Sequence, residues 1–189
     1  NNVGYTTTPG VYDLSASIAS WNKQRGYDSQ EWVIVQNLGT EPTNALVQLT
    51  FDANLSYGSS SVAPASVSGN VIEWNSGMLQ PGEIWTSMVI LTTSAAVPLG
   101  AVLVQQMTAT PDQSDFAPAN NVALANDTVV GSLDPNGITV APGRLTPQEV
   151  QDGKRVEYTV HFQNTGNYPA ERVLITDTLG SELQWASFQ

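Results

Sequence analysis

Hydrophobic and polar residues alternate along most of this chain with a period of two. The alternation is clearest from residue 156 to residue 163, where Val156, Tyr158, Val160 and Phe162 are each followed by a polar residue. Successive side chains of a β-strand point to opposite faces of a sheet, so this period is typical of a half-buried strand. The pattern therefore predicts a strand whose four apolar side chains face a core.

The end of this strand has a counterpart earlier in the chain. Asn164-Thr165-Gly166 matches Asn37-Leu38-Gly39, and Pro169 matches Pro42, with one shared offset (164 − 37 = 127 and 169 − 42 = 127). The alternation resumes after each of the two turns. Two turns at one offset indicate an internal repeat, and the sequence therefore predicts two copies of one β-domain.

The first copy is predicted to contain seven short strands separated by turn signals. They are Tyr12–Ile18, Gln30–Asn37, Ala45–Phe51, Val71–Trp74, Ile84–Leu91, Ala101–Thr110 and Val122–Val130. No stretch of useful length has helical periodicity. This arrangement predicts an all-β fold built from immunoglobulin-like β-sandwiches.

We predict two such sandwiches in tandem, the second of them incomplete. The expected segments are an N-terminal lead-in (1–10), the first sandwich (11–130), a linker (131–137) and the N-terminal half of the second sandwich (138–189). The second copy lacks counterparts of the last four strands of the first, and half a sandwich leaves a sheet face unburied. We therefore expect it to be completed by residues beyond Gln189 or by strands of a neighbouring copy.

The alternation also predicts which residues form the core of each copy. In the first copy these are Val33, Val35, Val47, Leu49 and Phe51. In the second copy they are Tyr158, Val160, Phe162, Val173 and Ile175.

Composition narrows the range of functions. The chain of 189 residues has no cysteine and a formal net charge of −11, with only 6 Lys and Arg residues. Nucleic-acid binding needs clustered basic residues, so we expect no nucleic-acid partner. No apolar run approaches the length of a membrane span. An acidic, lysine-poor chain rich in Thr, Ser, Asn and Val suits an extracellular or cell-surface protein.

No set of residues predicts a catalytic site. His161 is the only histidine, and its place in the alternation puts it on the strand face opposite Tyr158 and Phe162. Asp112 and Asp115 could pair as acid and base, but a solvated loop gives no apolar wall to separate their pKa values. We therefore predict no catalytic residues and a protein that is not an enzyme.

Calcium is the cofactor that the acidic loops allow, and we predict it at the junction of the two domains. Ca²⁺ takes six to eight oxygen ligands, and the candidate ligands are Asp112, Asp115, Asp134 and Asn136, with Asn120, Asn121 and Asp127 nearby in sequence. The acids lack the spacing of an EF-hand. The alternative is that these Asp and Asn residues only form turns.

The five tryptophans suggest a surface that could bind a glycan, because sugars stack on exposed indole rings. Trp32 lies on the strand face opposite Val33 and Val35, so it is a candidate ligand-binding residue together with Trp21. Trp74 and Trp85 lie within strand patterns and are predicted to be partly buried packing.

The chain resembles the conserved-repeat immunoglobulin-like domains found near the C-termini of large secreted Bacteroidetes-type proteins. The second copy carries the resemblance in three motifs, which are Gly131–Asn136, Val156–Gly166 and Ile175–Leu179. The first copy resembles the domain that typically precedes it, through Tyr12–Leu14, Asn54–Leu55, Gly69–Trp74, Leu79–Gly82 and Pro98–Gly100. The family often has an acid after Asp-Pro-Asn, whereas this chain has Gly137, which weakens a metal site there.

This resemblance implies export by the type IX secretion system. In this bacterial group an Asp-Thr-apolar pattern is used for O-glycosylation, and it occurs here at Thr128 and Thr178.

The function predicted from the sequence is a non-catalytic spacer of a large secreted or cell-surface protein, adhesive or filament-forming. Its partners would be neighbouring domains of the same long chain or neighbouring copies. The alternative is a carbohydrate-binding module attached to a secreted enzyme, which would use Trp21, Trp32, Trp74 or Trp85 and bind a surface glycan. Loss of glycan binding on Trp→Ala substitution would favour the module.

Overall fold

The computed structural model describes residues 8–132 and 136–176. The chain divides into two compact units, Asn1–Gly131 and Ser132–Gln189. The fold is all-β, as predicted, and each unit is described separately.

Within residues 8–131, unit 1 contains ten β-strands and one short 3-10 helix. The strands are β1 (Leu14–Ala19), β2 (Lys23–Gln24), β3 (Asp28–Asn37), β4 (Thr43–Thr50), β5 (Leu55–Ser60), β6 (Ser66–Ser68), β7 (Val71–Leu79), β8 (Ile84–Thr93), β9 (Val102–Pro111) and β10 (Val122–Val130). The 3-10 helix, Pro118–Asn121, precedes β10. All seven strands predicted for the first copy are present.

The strands of unit 1 form two sheets. The four-stranded sheet has the order β1-β3-β8-β5, and the six-stranded sheet has the order β2-β10-β9-β4-β7-β6. The strands at the two edges of the larger sheet, β2 and β6, are its shortest, with two and three residues. Together with β5 they are the strands that the sequence pattern missed, because a short or Ser- and Gly-rich strand carries little alternation.

The core of unit 1 lies between the two sheets. Side chains of β3, β4, β8 and β9 alternate between buried and exposed positions, as expected for strands with one face on a core. The five predicted core residues Val33, Val35, Val47, Leu49 and Phe51 are all buried. Trp74 is buried and Trp85 packs partly buried against the core, with their ring centroids 6.0 Å apart, which confirms the prediction for this pair.

The turn after β3 is held by the side chain of Asn37, which is fully buried. Its Oδ1 accepts a hydrogen bond from the backbone N–H of Gly39 at 2.9 Å, and its Nδ2 donates to the carbonyls of Glu41 and Leu79. A Cβ atom at Gly39 would lie 2.4 Å from the carbonyl oxygen of Val11. Any side chain at position 39 would therefore collide with the backbone of Val11, so this turn requires glycine.

Unit 2 contains two strands and one helix within residues 136–176. Strands β11 (Gly137–Ala141) and β12 (Glu157–His161) pair antiparallel, and helix α1 (Pro147–Gln151) lies between them in sequence. The helix was not predicted, although its signal is present. Thr146 and Glu149 form a capping box in which each side chain bonds the backbone N–H of the other.

Unit 2 repeats the turn of unit 1. Asn164 Oδ1 accepts from the backbone N–H of Gly166 at 3.0 Å, and its Nδ2 donates to the carbonyl of Tyr168 at 2.7 Å. Asn37 makes the same two bonds, to the second and the fourth residue after it. The repeat seen in the sequence therefore corresponds to one turn geometry present twice.

The core predicted for unit 2 is wrong for the described residues. Tyr158, Val160, Phe162, Val173 and Ile175 are between 39% and 57% exposed. Val173 and Ile175 also lie outside any strand. Within residues 136–176 no second sheet packs on the two strands. The alternation therefore predicted the strand β12 correctly, but its apolar side chains are not buried.

Candidate functional site: a buried charged cluster

Four polar side chains meet inside the sandwich of unit 1, at positions where the strand pattern places apolar residues. Glu31 shares the inward face of β3 with Val33 and Val35. Gln105 lies between the buried Leu103 and Met107 of β9.

The other two members come from neighbouring strands. Asp127 lies between the buried Ala125 and Val129 of β10. Lys23 is in β2, which runs parallel to β10 with Lys23 opposite Val129. The cluster thus joins the four-stranded sheet, through β3, to three strands of the six-stranded sheet.

The cluster is held together by short polar contacts. Lys23 Nζ lies 2.9 Å from Glu31 Oε2 and 3.3 Å from Asp127 Oδ2. Gln105 Nε2 donates to both carboxylates, to Glu31 Oε2 and to Asp127 Oδ2, at 2.9 Å each. Ser20 Oγ donates to Asp127 Oδ1 at 2.8 Å. Both oxygens of Asp127 and one oxygen of Glu31 are therefore engaged.

Water has almost no access to this cluster. Lys23, Glu31 and Gln105 have no exposed surface, and Asp127 is 5% exposed. Removing three charges from water is expensive, and only close pairing and hydrogen bonds offset that penalty. Two oxygens, Glu31 Oε1 and Gln105 Oε1, are buried with no hydrogen-bond partner among the described residues. The Lys23 ammonium thus faces the carboxylates of Glu31 and Asp127, and Glu31 Oε1 has no hydrogen-bond donor among the described residues.

Three of these residues were not predicted from the sequence. Asp127 was considered only as a calcium ligand, and Lys23, Glu31 and Gln105 were not singled out. The signal that could have found them is a polar residue in an inward position of a strand, such as Gln105 between Leu103 and Met107. Several strands with such an interruption would have predicted a polar cluster in the core.

The predicted calcium ligands lie in different places. Asp115 accepts hydrogen bonds from the backbone N–H of Leu14 and of Ala117, while Asp112 contacts Asn44 at 3.5 Å. Asp127 belongs to the buried cluster. Asp134 lies outside the described residues, and Asn136 is just before β11. Within residues 8–132 and 136–176, no group of three or more His, Cys, Asp or Glu residues could hold a metal.

The loop around Asp115 nevertheless retains free oxygen atoms. Asp115 and Asn121 line a surface groove of about 340 Å³. The Oδ1 atoms of Asn120 and Asn121 are buried and have no hydrogen-bond partner in the described part of the chain. Calcium therefore stays a prediction for this loop.

The candidate ligand-binding tryptophans are exposed. Trp21 is 59% exposed after β1, and Trp32 is 38% exposed on the outer face of β3. Thr128, a predicted glycosylation site, is half-buried within β10, and Thr178 lies outside the described residues. His161 is exposed at the end of β12, and among the described residues it belongs to no group of three or more His, Cys, Asp or Glu residues that could hold a metal ion.

Comparison with known sequences identifies one matching family. Residues 134–189 match the domain of unknown function DUF7619, which covers most of unit 2. No curated protein sequence matches the chain. No helix in the described residues is both long enough and apolar enough to cross a membrane.

Several solved structures are similar to this chain at low sequence identity. A CARDB domain from Pyrococcus furiosus, solved with di-metal ions, is 17% identical, with a TM-score of 0.50 over 67% of this chain and 95% of that chain. The sixth cohesin of scaffoldin B from Acetivibrio cellulolyticus, solved with a dockerin, is 14% identical, with a TM-score of 0.45 over 62% of this chain and 99% of that one.

A third similar structure is a type III cohesin module of the cell-surface anchoring scaffoldin ScaE from Ruminococcus flavefaciens. It is 10% identical, with a TM-score of 0.46, and covers 62% of this chain and 88% of that one. The likeness to the CARDB domain shows a shared β-sandwich fold, and none of these matches indicates an enzyme family.

Proposed function

We propose that this chain is a non-catalytic structural segment, a spacer of a large secreted or cell-surface protein exported by the type IX system. The observation that carries the proposal is the buried cluster of Lys23, Glu31, Gln105 and Asp127. Its charged groups face the interior and join the two sheets, so they are closed to a substrate. The full-length protein that contains this spacer would be an adhesin or a subunit of an extracellular filament.

The first and last strands of unit 1 lie in different sheets. β1 belongs to the four-stranded sheet and β10 to the six-stranded sheet. Tension applied between these two strands therefore loads the contact between the sheets, which the buried cluster spans.

Single-molecule force measurement on the full chain tests the proposal. We expect unit 1 to withstand a higher force in the wild-type chain than in the Lys23→Met variant, because the sheets of the variant lose their shared cluster. Lys154→Met is the matched control, since Lys154 forms an exposed ion pair in unit 2. Extension of unit 1 at the same force in the wild-type chain and in Lys23→Met, or hydrolysis of a polysaccharide by the chain, would contradict the spacer.

A carbohydrate-binding module is the second candidate, favoured by the exposed rings of Trp21 and Trp32. An exposed indole ring offers a flat apolar face on which a sugar ring can stack, and the partner would then be a surface glycan. Binding on a glycan array that disappears in both Trp21→Ala and Trp32→Ala would favour this function. Trp74 is no control, because it is buried; Tyr27→Ala, another exposed aromatic, is the suitable one.

We also propose that calcium binds the loop beside Asp115, supported by the unpartnered oxygens of Asn120 and Asn121. A ligand that binds only the folded state raises its stability, by about 2.7 kcal/mol at a hundredfold excess over Kd. A chelator should then lower the melting temperature of the wild-type chain and leave that of Asp115→Asn unchanged. Equal melting of the wild-type chain with and without chelator would exclude the site.

A further inference from the structure

We propose that Lys23 and Asp127 condense with one another, forming an amide bond between Nζ and Cγ inside unit 1. The proposal rests on the geometry of the buried cluster and goes beyond the spacer function, which does not require it. The amine and the carboxyl group are already in contact, with Nζ 3.3 Å from Oδ2. Two groups held in contact react far faster than free groups, because folding has already removed the translational and rotational freedom that the reaction would otherwise cost.

Glu31 is placed to transfer the protons. Lysine attacks as a neutral amine, so its ammonium must first lose a proton, and Glu31 Oε2 lies 2.9 Å from Nζ to accept it. Glu31 Oε1 has no hydrogen-bond partner among the described residues, so this carboxyl group can carry the proton from Nζ toward Asp127.

Two donors are placed to activate the carboxyl group of Asp127. Ser20 Oγ–H bonds Oδ1 at 2.8 Å, and Gln105 Nε2–H bonds Oδ2 at 2.9 Å. Hydrogen bonds aimed at oxygens that gain charge during attack stabilise the tetrahedral intermediate. Gln105 also bonds Glu31, so it holds the acid and the reacting carboxyl group side by side.

The reaction is balanced without a further reactant. The Nζ lone pair forms a bond to Cγ, and the bond from Cγ to Oδ2 breaks. The ammonium begins with three protons. One remains on the new amide nitrogen, and the other two leave with Oδ2 as water, relayed by Glu31, which ends unchanged. Oδ1, bonded to Ser20, becomes the amide oxygen.

The product suits the interior better than the reactants do. Three buried charges become one, because Lys23 and Asp127 are replaced by a neutral amide, which lowers the desolvation penalty. Hydrolysis of that amide would need water, and Lys23, Glu31 and Gln105 have no exposed surface. The bond would covalently join β2 to β10, the parallel pair described above.

Intact-mass measurement of the unfolded full chain tests the proposal. We expect a mass one water lower than the sequence requires, and a proteolytic digest in which trypsin no longer cuts after Lys23 and the peptides of Lys23 and Asp127 are linked. The full sequence mass after prolonged incubation of the folded chain would overturn the proposal. A water loss located elsewhere, such as a cyclic imide at Asp152-Gly153, would also overturn it.

Variants identify the roles of the residues. Lys23→Met should show the full mass, and Asp127→Asn should lose one ammonia in place of one water. Glu31→Gln keeps the shape of the side chain but cannot accept the proton, so amide formation should slow by about 10² to 10⁴-fold. Circular dichroism verifies that each variant is folded. Amide formation at the wild-type rate in Glu31→Gln would overturn the role of Glu31, and the wild-type mass decides the bond itself whether or not a variant folds.

Discussion

The two units contain the same turn but differ in how they treat their apolar residues. Asn37 and Asn164 make equivalent bonds at the ends of equivalent stretches. In unit 1 the preceding strand, β3, lies between β1 and β8 and faces a second sheet. In unit 2 the preceding strand, β12, pairs with β11, and its apolar side chains are exposed. The difference shows that a turn and an alternating strand are local properties, whereas burial requires a second layer from elsewhere.

The ion pairs of the two units should differ most. Lys23 and Glu31 are fully buried, whereas the side chains of Lys154 and Glu149 are 47% and 34% exposed. Removing one partner of a buried pair leaves an uncompensated charge and costs about 3 to 5 kcal/mol, whereas an exposed pair contributes little because water screens it. We expect Lys23→Met to destabilise unit 1 far more than Lys154→Met destabilises unit 2, as measured by hydrogen exchange of each unit. Equal losses would contradict the contrast.

Truncation of apolar residues should give the next largest contrast. Leu91 is fully buried in β8, and Val160 is 39% exposed in β12. Leu91→Ala should cost about 2 to 5 kcal/mol, because it leaves a cavity, and Val160→Ala should cost less than about 1 kcal/mol. Urea denaturation followed by hydrogen exchange measures both. A large loss for Val160→Ala would show that β12 is covered by a further layer in solution.

The shared turn allows a direct test of burial at fixed geometry. Asn37→Ala removes three hydrogen bonds and leaves the buried carbonyl of Leu79 without this donor, so it should cost about 1 to 3 kcal/mol. Asn164 makes the same turn in an exposed position, and Asn164→Ala should cost less. The melting temperatures of the two variants measure this difference. A larger loss of stability in Asn164→Ala than in Asn37→Ala would contradict this prediction. It would show that the turn contributes more to the stability of unit 2 than its exposure indicates.

The smallest effect concerns Glu149 in α1. The Lys154 ammonium, and then the backbone N–H and hydroxyl of Thr146, lower the pKa of Glu149 below 4.5. A lowered folded-state pKa stabilises the helix at pH values above 4.5, and this stabilisation is lost as the pH falls through the folded value. Lys154→Met should therefore raise the pKa of Glu149, which an NMR titration measures. An unchanged titration would show that the capping bonds alone set the value.

Much of unit 1 was predictable because its strands are long and bury one face. β10 was predicted with its observed bounds, and β3, β4, β8 and β9 within a few residues, since alternation is strongest where a sheet covers a core. The two-residue strand β2 has too few residues for a period to be seen, although it supplies Lys23 to the site.

The buried cluster could not be predicted as a cluster from one sequence. Glu31 and Gln105 are 74 residues apart and meet only because β3 and β9 lie in facing sheets. Their inward positions were visible, but the pairing of strands that brings them together depends on topology. The exposure of Val160 likewise depends on what packs above β12, which its own pattern does not encode.

The short edge strands of the six-stranded sheet affect how the protein behaves when it is concentrated. An exposed sheet edge is a template on which another chain can add a strand, and long, flat edges promote aggregation. Here β2 pairs only with Val129 and Val130 of β10, and β6 pairs only with Val71, Ile72 and Glu73 of β7, so most of the outer edge of β10 and of β7 has no paired strand among the described residues. Copies of unit 1 crowded together can therefore join edge to edge along these two strands, and the short edge strands limit that pairing only at one end of each.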